Sequence, residues 1–200
     1  MSHFIGLVFH DEGTDYNALL APYDEQTNDT ELLKFDDQTE DVVASYAARK
    51  DTMTVRERME YNTLHKYATE YFRMKCITDE QGNNRYGYYY NPNAKWDWYS
   101  EGGRWDGFIK TLDKTAPMPI NSAPFEAIDW DTMLKDENIP FCIVTAGGEW
   151  RERGNMGWWA MVADEKPQDA WHSEVRNYVQ TIRNEGYADR VRVEAIDFHI

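Results

Sequence analysis

The sequence predicts an α+β fold with a mainly antiparallel sheet and with helices packed on one face. Three observations predict it: an apolar strand pattern at residues 3–10, a second at 191–200, and an amphipathic helix just before that closing strand. We expect a single domain over residues 1–200. Residues 85–125, an aromatic hairpin followed by a proline-rich connector, form an insertion in it.

The first third of the chain predicts a buried strand followed by short elements and one long helix. His3–His10 is apolar on both faces, which is typical of a central strand. A short helix is expected within Tyr16–Tyr23 and a short strand around Leu32–Phe35. Thr54 with Glu57 is a capping-box pattern, and the apolar stripe that follows predicts a helix to about residue 75.

The middle of the chain predicts strands separated by turns. Strand patterns cover Tyr86–Tyr90, Trp96–Tyr99 and Arg104–Ile109, with turn signals at residues 91–93 and 102–103. Residues 113–125 contain three prolines and predict an extended connector.

The last third gives the clearest pattern, in the order strand, strand, helix, strand. Strands are expected at Pro140–Ala146 and at Gly157–Ala163. A helix follows from Pro167 and ends at Gly186, a typical residue for the position after a C-cap. Its apolar stripe consists of Trp171, Val175, Tyr178, Val179 and Ile182.

Charge and cysteine content narrow the classes of function. The formal net charge of −15 disfavours nucleic acid and anionic membranes as partners, because phosphate groups are bound by Lys and Arg. The two cysteines stand far apart without metal-ligand spacing, so we expect free thiols, no metal and no other cofactor. No apolar run reaches the ~20 residues of a membrane span, and the N-terminus lacks a signal-peptide pattern. The sequence therefore predicts a cytoplasmic protein.

The first candidate site lies in the aromatic segment 85–108. Alternation in a strand places Trp96 and Trp98 on one face and Tyr99 on the other, and the glycine turn returns Arg104 and Trp105 beside them. Indoles next to a guanidinium suit a nucleotide, whose base stacks and whose phosphate pairs with arginine. The alternative is that these rings form a core and that the arginine pairs with a neighbouring aspartate.

The second candidate is the segment 147–159. Its glycine pair lets backbone amides approach an anion, and Arg151 alternates with Arg153 onto one face of a strand. Trp150, Trp158 and Trp159 add flat surface. The alternative is a long hairpin with a polar tip, since no phosphate-loop motif is present.

The third candidate joins the two ends of the chain. If the terminal strands pair antiparallel, His3 comes close to His199, with Asp197 nearby. These three residues are weak candidates for acid–base catalysis. Histidines at strand ends are more often simply hydrogen-bonded, so no catalytic residue is assigned.

Several blocks of the sequence resemble a family of small uncharacterised proteins of tailed bacteriophages and prophages. They are MSHF at residues 1–4, NPNAKWDWY at 91–99 with GGRW at 102–105, GWW at 157–159 and DFHI at 197–200. The resemblance implies a phage-encoded protein in the bacterial host cytoplasm. The resemblance assigns no functional residue in this chain, and position 198 is Phe where the family commonly has Cys.

The function expected from these features is anti-defence: binding and sequestering a nucleotide-derived signalling molecule. A homo-oligomer is compatible with this, because such binders often place their sites between subunits. One alternative is an acidic inhibitor of a host nucleic-acid-binding defence protein, since residues 1–50 hold 11 acidic and 3 basic side chains. The other alternative is a nucleotide hydrolase that uses the histidines.

Overall fold

The computed structural model describes residues 2–135 and 138–200, except for the side chain of Trp158. With 33% helix and 28% strand in a mostly antiparallel arrangement, it confirms the predicted α+β class. The strands are β1 (His3–Asp11), β2 (Lys34–Asp37), β3 (Lys75–Thr78), β4 (Asn84–Tyr90), β5 (Trp98–Glu101), β6 (Ser122–Pro124), β7 (Cys142–Val144), β8 (Trp150–Glu152), β9 (Asn155–Met156), β10 (Val162–Ala163) and β11 (Val191–His199). The α-helices are α1 (Asn17–Leu20), α2 (Thr39–Arg49), α3 (Val55–Glu60), α4 (Leu64–Lys66), α5 (Trp130–Met133) and α6 (Gln168–Asn184).

The chain forms two compact units. The larger contains Met1–Glu25 and Asn93–Ile200, and the smaller contains Gln26–Pro92. Both ends of the chain therefore belong to the larger unit, which also contains the aromatic residues from position 93 onward.

The larger unit is built on a sheet with the strand order β5–β11–β1–β7–β8, in which β6 also pairs with β11. The long strands β1 and β11 pair antiparallel along their whole length, from His3 opposite His199 to Asp11 opposite Val191. β1 also pairs with β7 in parallel. It is therefore a central strand, as its two apolar faces predicted.

Each face of this sheet carries its own core. On one face Leu7 and Val193 pack with α6, and we call this the helix face. On the other face Val8 and Phe198 pack with aromatic side chains such as Trp96, and we call this the aromatic face. Side chains of odd-numbered residues in β1 and β11 thus point to the helix face.

The helix α6 forms as the sequence predicts. Pro167 precedes its first residue, and Gly186 with a φ of 73° follows its C-cap, where a left-handed residue ends the helix. All five residues of the predicted stripe are buried. Among the described helices, none is long and apolar enough to cross a membrane.

The smaller unit contains a three-stranded antiparallel sheet in the order β2–β4–β3. Its core joins Val42 of α2, Tyr67, Met74 and Tyr86. The helix α2 is not predicted from the sequence. Its start is stabilised by Asp37, whose carboxylate accepts hydrogen bonds from the backbone and hydroxyl of Thr39.

The predicted helix from Thr54 to residue 75 is confirmed only in part, because residues 55–60 and 64–71 are helical but do not form one continuous helix. The capping box of Thr54 and Glu57 forms, but α3 ends at Glu60. A second N-cap at Thr63 then starts α4, because its hydroxyl accepts from the backbone of Lys66. The apolar residues of this segment are spaced as in a helix, but the capping residue Thr63 divides the segment in two.

Two further strand predictions fail, one entirely and one in part. In the 104–109 segment the chain forms a 3₁₀ turn over Gly103–Trp105. In the 157–163 segment only Val162–Ala163 is a strand, because Trp159 and Ala160 have positive φ angles of 64° and 56°, which a strand cannot accommodate. The cause lies far away in sequence: the hydroxyl of Ser2 donates to the carbonyl of Gly157 and accepts from the amide of Ala160.

Candidate functional site

Three aromatic side chains from three neighbouring strands form a row on the helix face. His199 lies opposite His3 in β1 and opposite Trp98 in β5. The two imidazole rings are 4.9 Å apart between centroids, and the His199 ring stacks on the indole at 5.0 Å. The antiparallel pairing of the chain ends thus brings the two histidines together, as the sequence predicted.

Each imidazole is held by its own carboxylate. The Nδ1 atom of His3 lies 2.9 Å from Oδ1 of Asp197, and the Nδ1 atom of His199 lies 2.5 Å from Oδ1 of Asp97. An ionised carboxylate only accepts hydrogen bonds, so both Nδ1 atoms carry the proton. In its neutral form each ring therefore presents an unprotonated Nε2.

The Nε2 atom of His199 is buried and has no hydrogen-bond partner among the described residues. Its side chain is 6% exposed. A buried polar atom without a partner costs free energy, so its presence here calls for an explanation.

The glycine pair 102–103 permits the carboxylate contact. Asp197 is 2% exposed, and its Oδ2 accepts a hydrogen bond of 3.0 Å from the backbone amide of Arg104. A Cβ atom on Gly103 would lie 2.4 Å from that oxygen, and its φ is 52°. Glycine is therefore required here both for conformation and for close approach of the backbone.

A pocket of about 310 Å³ opens beside His3 and is lined from both faces of the sheet, by Trp105 and Trp171 of the helix-face core and by Phe4 and Phe141 of the aromatic-face core. Its volume is at the lower end of the usual range for ligand pockets, roughly 300–1,000 Å³. Its walls are aromatic and basic, with Trp105, Phe141, Arg153 and Trp171 among the lining residues. We call it the His3 pocket.

The charge of the His3 pocket differs from that of the whole chain. Its lining includes one arginine and two histidines, His3 and His172, and no described lining residue is an aspartate or glutamate. The formal charge of the chain is −15. Two other cavities follow the acidic average: one is lined by Glu126, Asp129 and Asp131, and another by Glu149, Glu152, Asp164 and Glu174.

The guanidinium of Arg153 has a buried donor without an acceptor among the described residues. Its Nη2 pairs with Oε1 of Glu165, while its Nε–H is buried and has no acceptor among the described residues. A guanidinium N–H aimed at no acceptor is the kind of donor that an anionic ligand satisfies.

The predicted aromatic platform is divided between the two faces of the sheet. Trp96 is buried on the aromatic face and contacts Tyr99 edge-on at 4.8 Å. Trp98 lies on the helix face and is 45% exposed. The prediction that the two tryptophans share a face is wrong, because β5 begins only at Trp98. Trp105 lines the pocket, and the Arg104 side chain is exposed.

The second predicted cluster is also divided. Trp150 packs on the aromatic face, and its indole N–H donates to Glu152. Arg151 lies over the ring of Tyr178 at 5.5 Å on the helix face. Trp159 is 78% exposed. The side chain of Trp158 lies outside the described part of the structure.

Sequence reasoning missed two contributors to the site. Asp97 was read only as a partner for an arginine, because its contact with His199 depends on pairing between strands about a hundred residues apart. Arg153 follows the end of β8, so its alternation with Arg151 does not show that Arg153 lines a pocket whereas Arg151 lies over the ring of Tyr178.

Comparison with known proteins gives no further guidance: no family model, curated protein or solved structure matches the chain. Within the described residues, no three His, Cys, Asp or Glu side chains form a group that could hold a metal ion. The function is therefore argued from the side chains of the site.

Proposed function

We propose that the His3 pocket binds a nucleotide-derived small molecule and withdraws it from solution. The observation that carries the proposal is the composition of the pocket walls. A strongly acidic chain lines this cavity with basic and aromatic side chains and with no described carboxylate. Such a lining favours a ligand that combines a flat ring with negative charge.

The side chains suggest how the ligand lies. A phosphate oxygen accepts a charge-assisted hydrogen bond from the guanidinium of Arg153, which lines the pocket. The base packs against the rings of Trp105 and Phe141, which line the same cavity. The pocket volume of about 310 Å³ suits one nucleoside unit rather than a long strand.

The resemblance to tailed-phage proteins supplies a setting for this activity. A binder of this kind, made in an infected bacterium, lowers the concentration of a nucleotide signal that activates host defence. Sequestration requires affinity and abundance, and it works whether or not the ligand is altered.

Thermal unfolding with a panel of cyclic, ADP-ribose-type and simple adenine nucleotides tests the proposal. A ligand at about 100 times its dissociation constant stabilises the protein by roughly 2.7 kcal/mol, which raises the midpoint measurably. Arg153→Gln removes a charged hydrogen bond of about 1.5–3 kcal/mol, so we expect binding about 10- to 100-fold weaker.

Arg151→Gln is the matched control. This arginine also has a carboxylate partner, at 2.6 Å from Glu149, and stands two residues earlier in the chain, but it does not line the pocket. We expect its substitution to leave binding unchanged. Equal losses in both variants, or no stabilisation by any nucleotide, contradict the proposal.

A further inference from the structure

We propose that the site also cleaves its ligand: it breaks a phosphodiester bond that stands next to a ribose 2′-hydroxyl. This inference rests on the proposed function, since it assigns a substrate class to the same pocket. It comes from the two imidazole–aspartate pairs, which simple binding does not require.

The two carboxylates fix which nitrogen of each imidazole can exchange a proton. Both Nδ1 atoms are engaged by carboxylates, Asp197 for His3 and Asp97 for His199. Each ring is thereby fixed in orientation and exchanges protons only through Nε2. A general base and a general acid are the two groups that phosphodiester transfer to a neighbouring hydroxyl needs, and two such rings supply both.

His3 belongs to the pocket wall, whereas His199 lies one strand further and stacks on Trp98. A nucleoside in the pocket places its 2′-hydroxyl near His3. The nucleoside on the other side of the phosphate then reaches toward the indole of Trp98, on which its base can stack.

The Nε2 atom of His199 is buried, and the ring of Trp98 lies against the imidazole. Trp98 is 45% exposed and stands at the beginning of β5, the edge strand of the sheet. Its ring can therefore move toward solvent without disturbing a core, which uncovers Nε2 of His199 while the indole remains available for stacking by the incoming base.

The reaction balances without a further reactant. Nε2 of His3 takes the proton of the 2′-hydroxyl, and O2′ forms a bond to phosphorus. The bond from phosphorus to O5′ of the second nucleoside breaks, and that oxygen receives the proton of Nε2 of a protonated His199. The products are a 2′,3′-cyclic phosphate and a nucleoside with a free 5′-hydroxyl.

The test uses the full chain with the dinucleotide adenylyl-(3′→5′)-adenosine and, in parallel, its 2′-deoxy form, which lacks the attacking hydroxyl. Products are separated by chromatography and identified by mass. We expect adenosine and adenosine 2′,3′-cyclic phosphate from the first compound and no product from the second.

The variants His3→Asn and His199→Asn are expected to lose at least about 100-fold in rate. Urea unfolding checks that each variant remains folded, and titration with the 2′-deoxy dinucleotide separates a loss of binding from a loss of rate. His65→Asn is the control, because this exposed histidine belongs to the smaller unit and contacts Tyr86 there. Its rate should equal that of the unchanged protein.

The outcomes separate the two proposals. Binding of both dinucleotides without any product overturns the cleavage and leaves the proposed binding standing. Cleavage that persists in both histidine variants also overturns it. If neither dinucleotide binds and no nucleotide of the panel binds, the proposed function itself is overturned.

Discussion

The substitution Gly103→Ala tests whether the backbone at residues 102–104 positions the site. The added Cβ atom would lie 2.4 Å from Oδ2 and 2.5 Å from Cβ of Asp197. Ordinary contacts between such atoms exceed 3 Å, so the carboxylate or the backbone must move by close to 1 Å. Asp197 accepts from the Arg104 amide and from His3, and a shift of that size breaks at least one of these hydrogen bonds.

The expected cost has two parts. A non-glycine residue at a φ of 52° costs about 1 kcal/mol. Loss of one hydrogen bond to a buried charged group costs roughly 1.5–3 kcal/mol. We therefore expect Gly103→Ala to lower the free energy of unfolding by about 3 kcal/mol.

Gly13→Ala separates these two parts. Gly13 belongs to the same unit and has a φ of 83°, but nothing lies within 4 Å of the position its Cβ would take. Gly13→Ala should lower the free energy of unfolding by the conformational cost alone, about 1 kcal/mol. Urea unfolding of the two variants gives both free energies. Equal losses would refute the argument that close approach to Asp197 requires glycine at position 103.

Three further predictions concern the core of the larger unit. Gly6→Ala should destabilise by about 1–3 kcal/mol, because its Cβ would lie 2.5 Å from Phe198 and 2.6 Å from the sulfur of Cys142, and an unchanged urea midpoint contradicts this. Burial raises the pKa of Tyr178 to about 12, so the folded state holds this proton more tightly than the unfolded state does. Stability should therefore fall as pH rises from 10 to 12, and less steeply in Tyr178→Phe; equal slopes would count against it. Burial also raises the pKa of the Cys142 thiol well above its usual value, so a thiol reagent should modify only Cys76 in the native protein, and rapid reaction of both thiols excludes this.

The elements that could be predicted from the sequence are those whose local pattern of apolar residues agrees with the contacts that they make in the fold. The strand that begins at His3 is apolar on both faces and is central, and the helix that begins after Pro167 buries its predicted stripe. Their pairing partners followed from the same logic, since two long apolar strands at the chain ends bury each other best side by side. The approach of the two histidines followed from that pairing.

The elements that could not be predicted depend on residues distant in sequence. The GWW segment looks like a strand, but the hydroxyl of Ser2 holds it in a turn with positive φ angles. Likewise, the glycine pair at 102–103 looks like a simple turn, although its backbone approaches Asp197. Neither contact can be recognised from the residues next to it in the sequence.

The candidate site was predicted in part for a related reason. The aromatic content of residues 85–108 predicts that these rings form either a core or a binding site. It does not predict on which face of the sheet each ring lies. Trp96 lies in a core, whereas Trp98, only two residues further along, stays partly exposed beside a histidine. The basic lining of the pocket, which has no carboxylate among the described residues, emerges only when β1, the segment around Pro140, Arg153 and α6 are assembled.

The most direct test of the central claim is to record the indole N–H signals of the eight tryptophans by NMR while adding the 2′-deoxy dinucleotide. Binding in the His3 pocket predicts that the signals of Trp105 and Trp98 move together with one dissociation constant. The signal of Trp130 should stay, because its indole N–H is buried and donates to the carbonyl of Phe125 away from that pocket. Movement confined to the exposed Trp159, or no movement at all, would contradict the account.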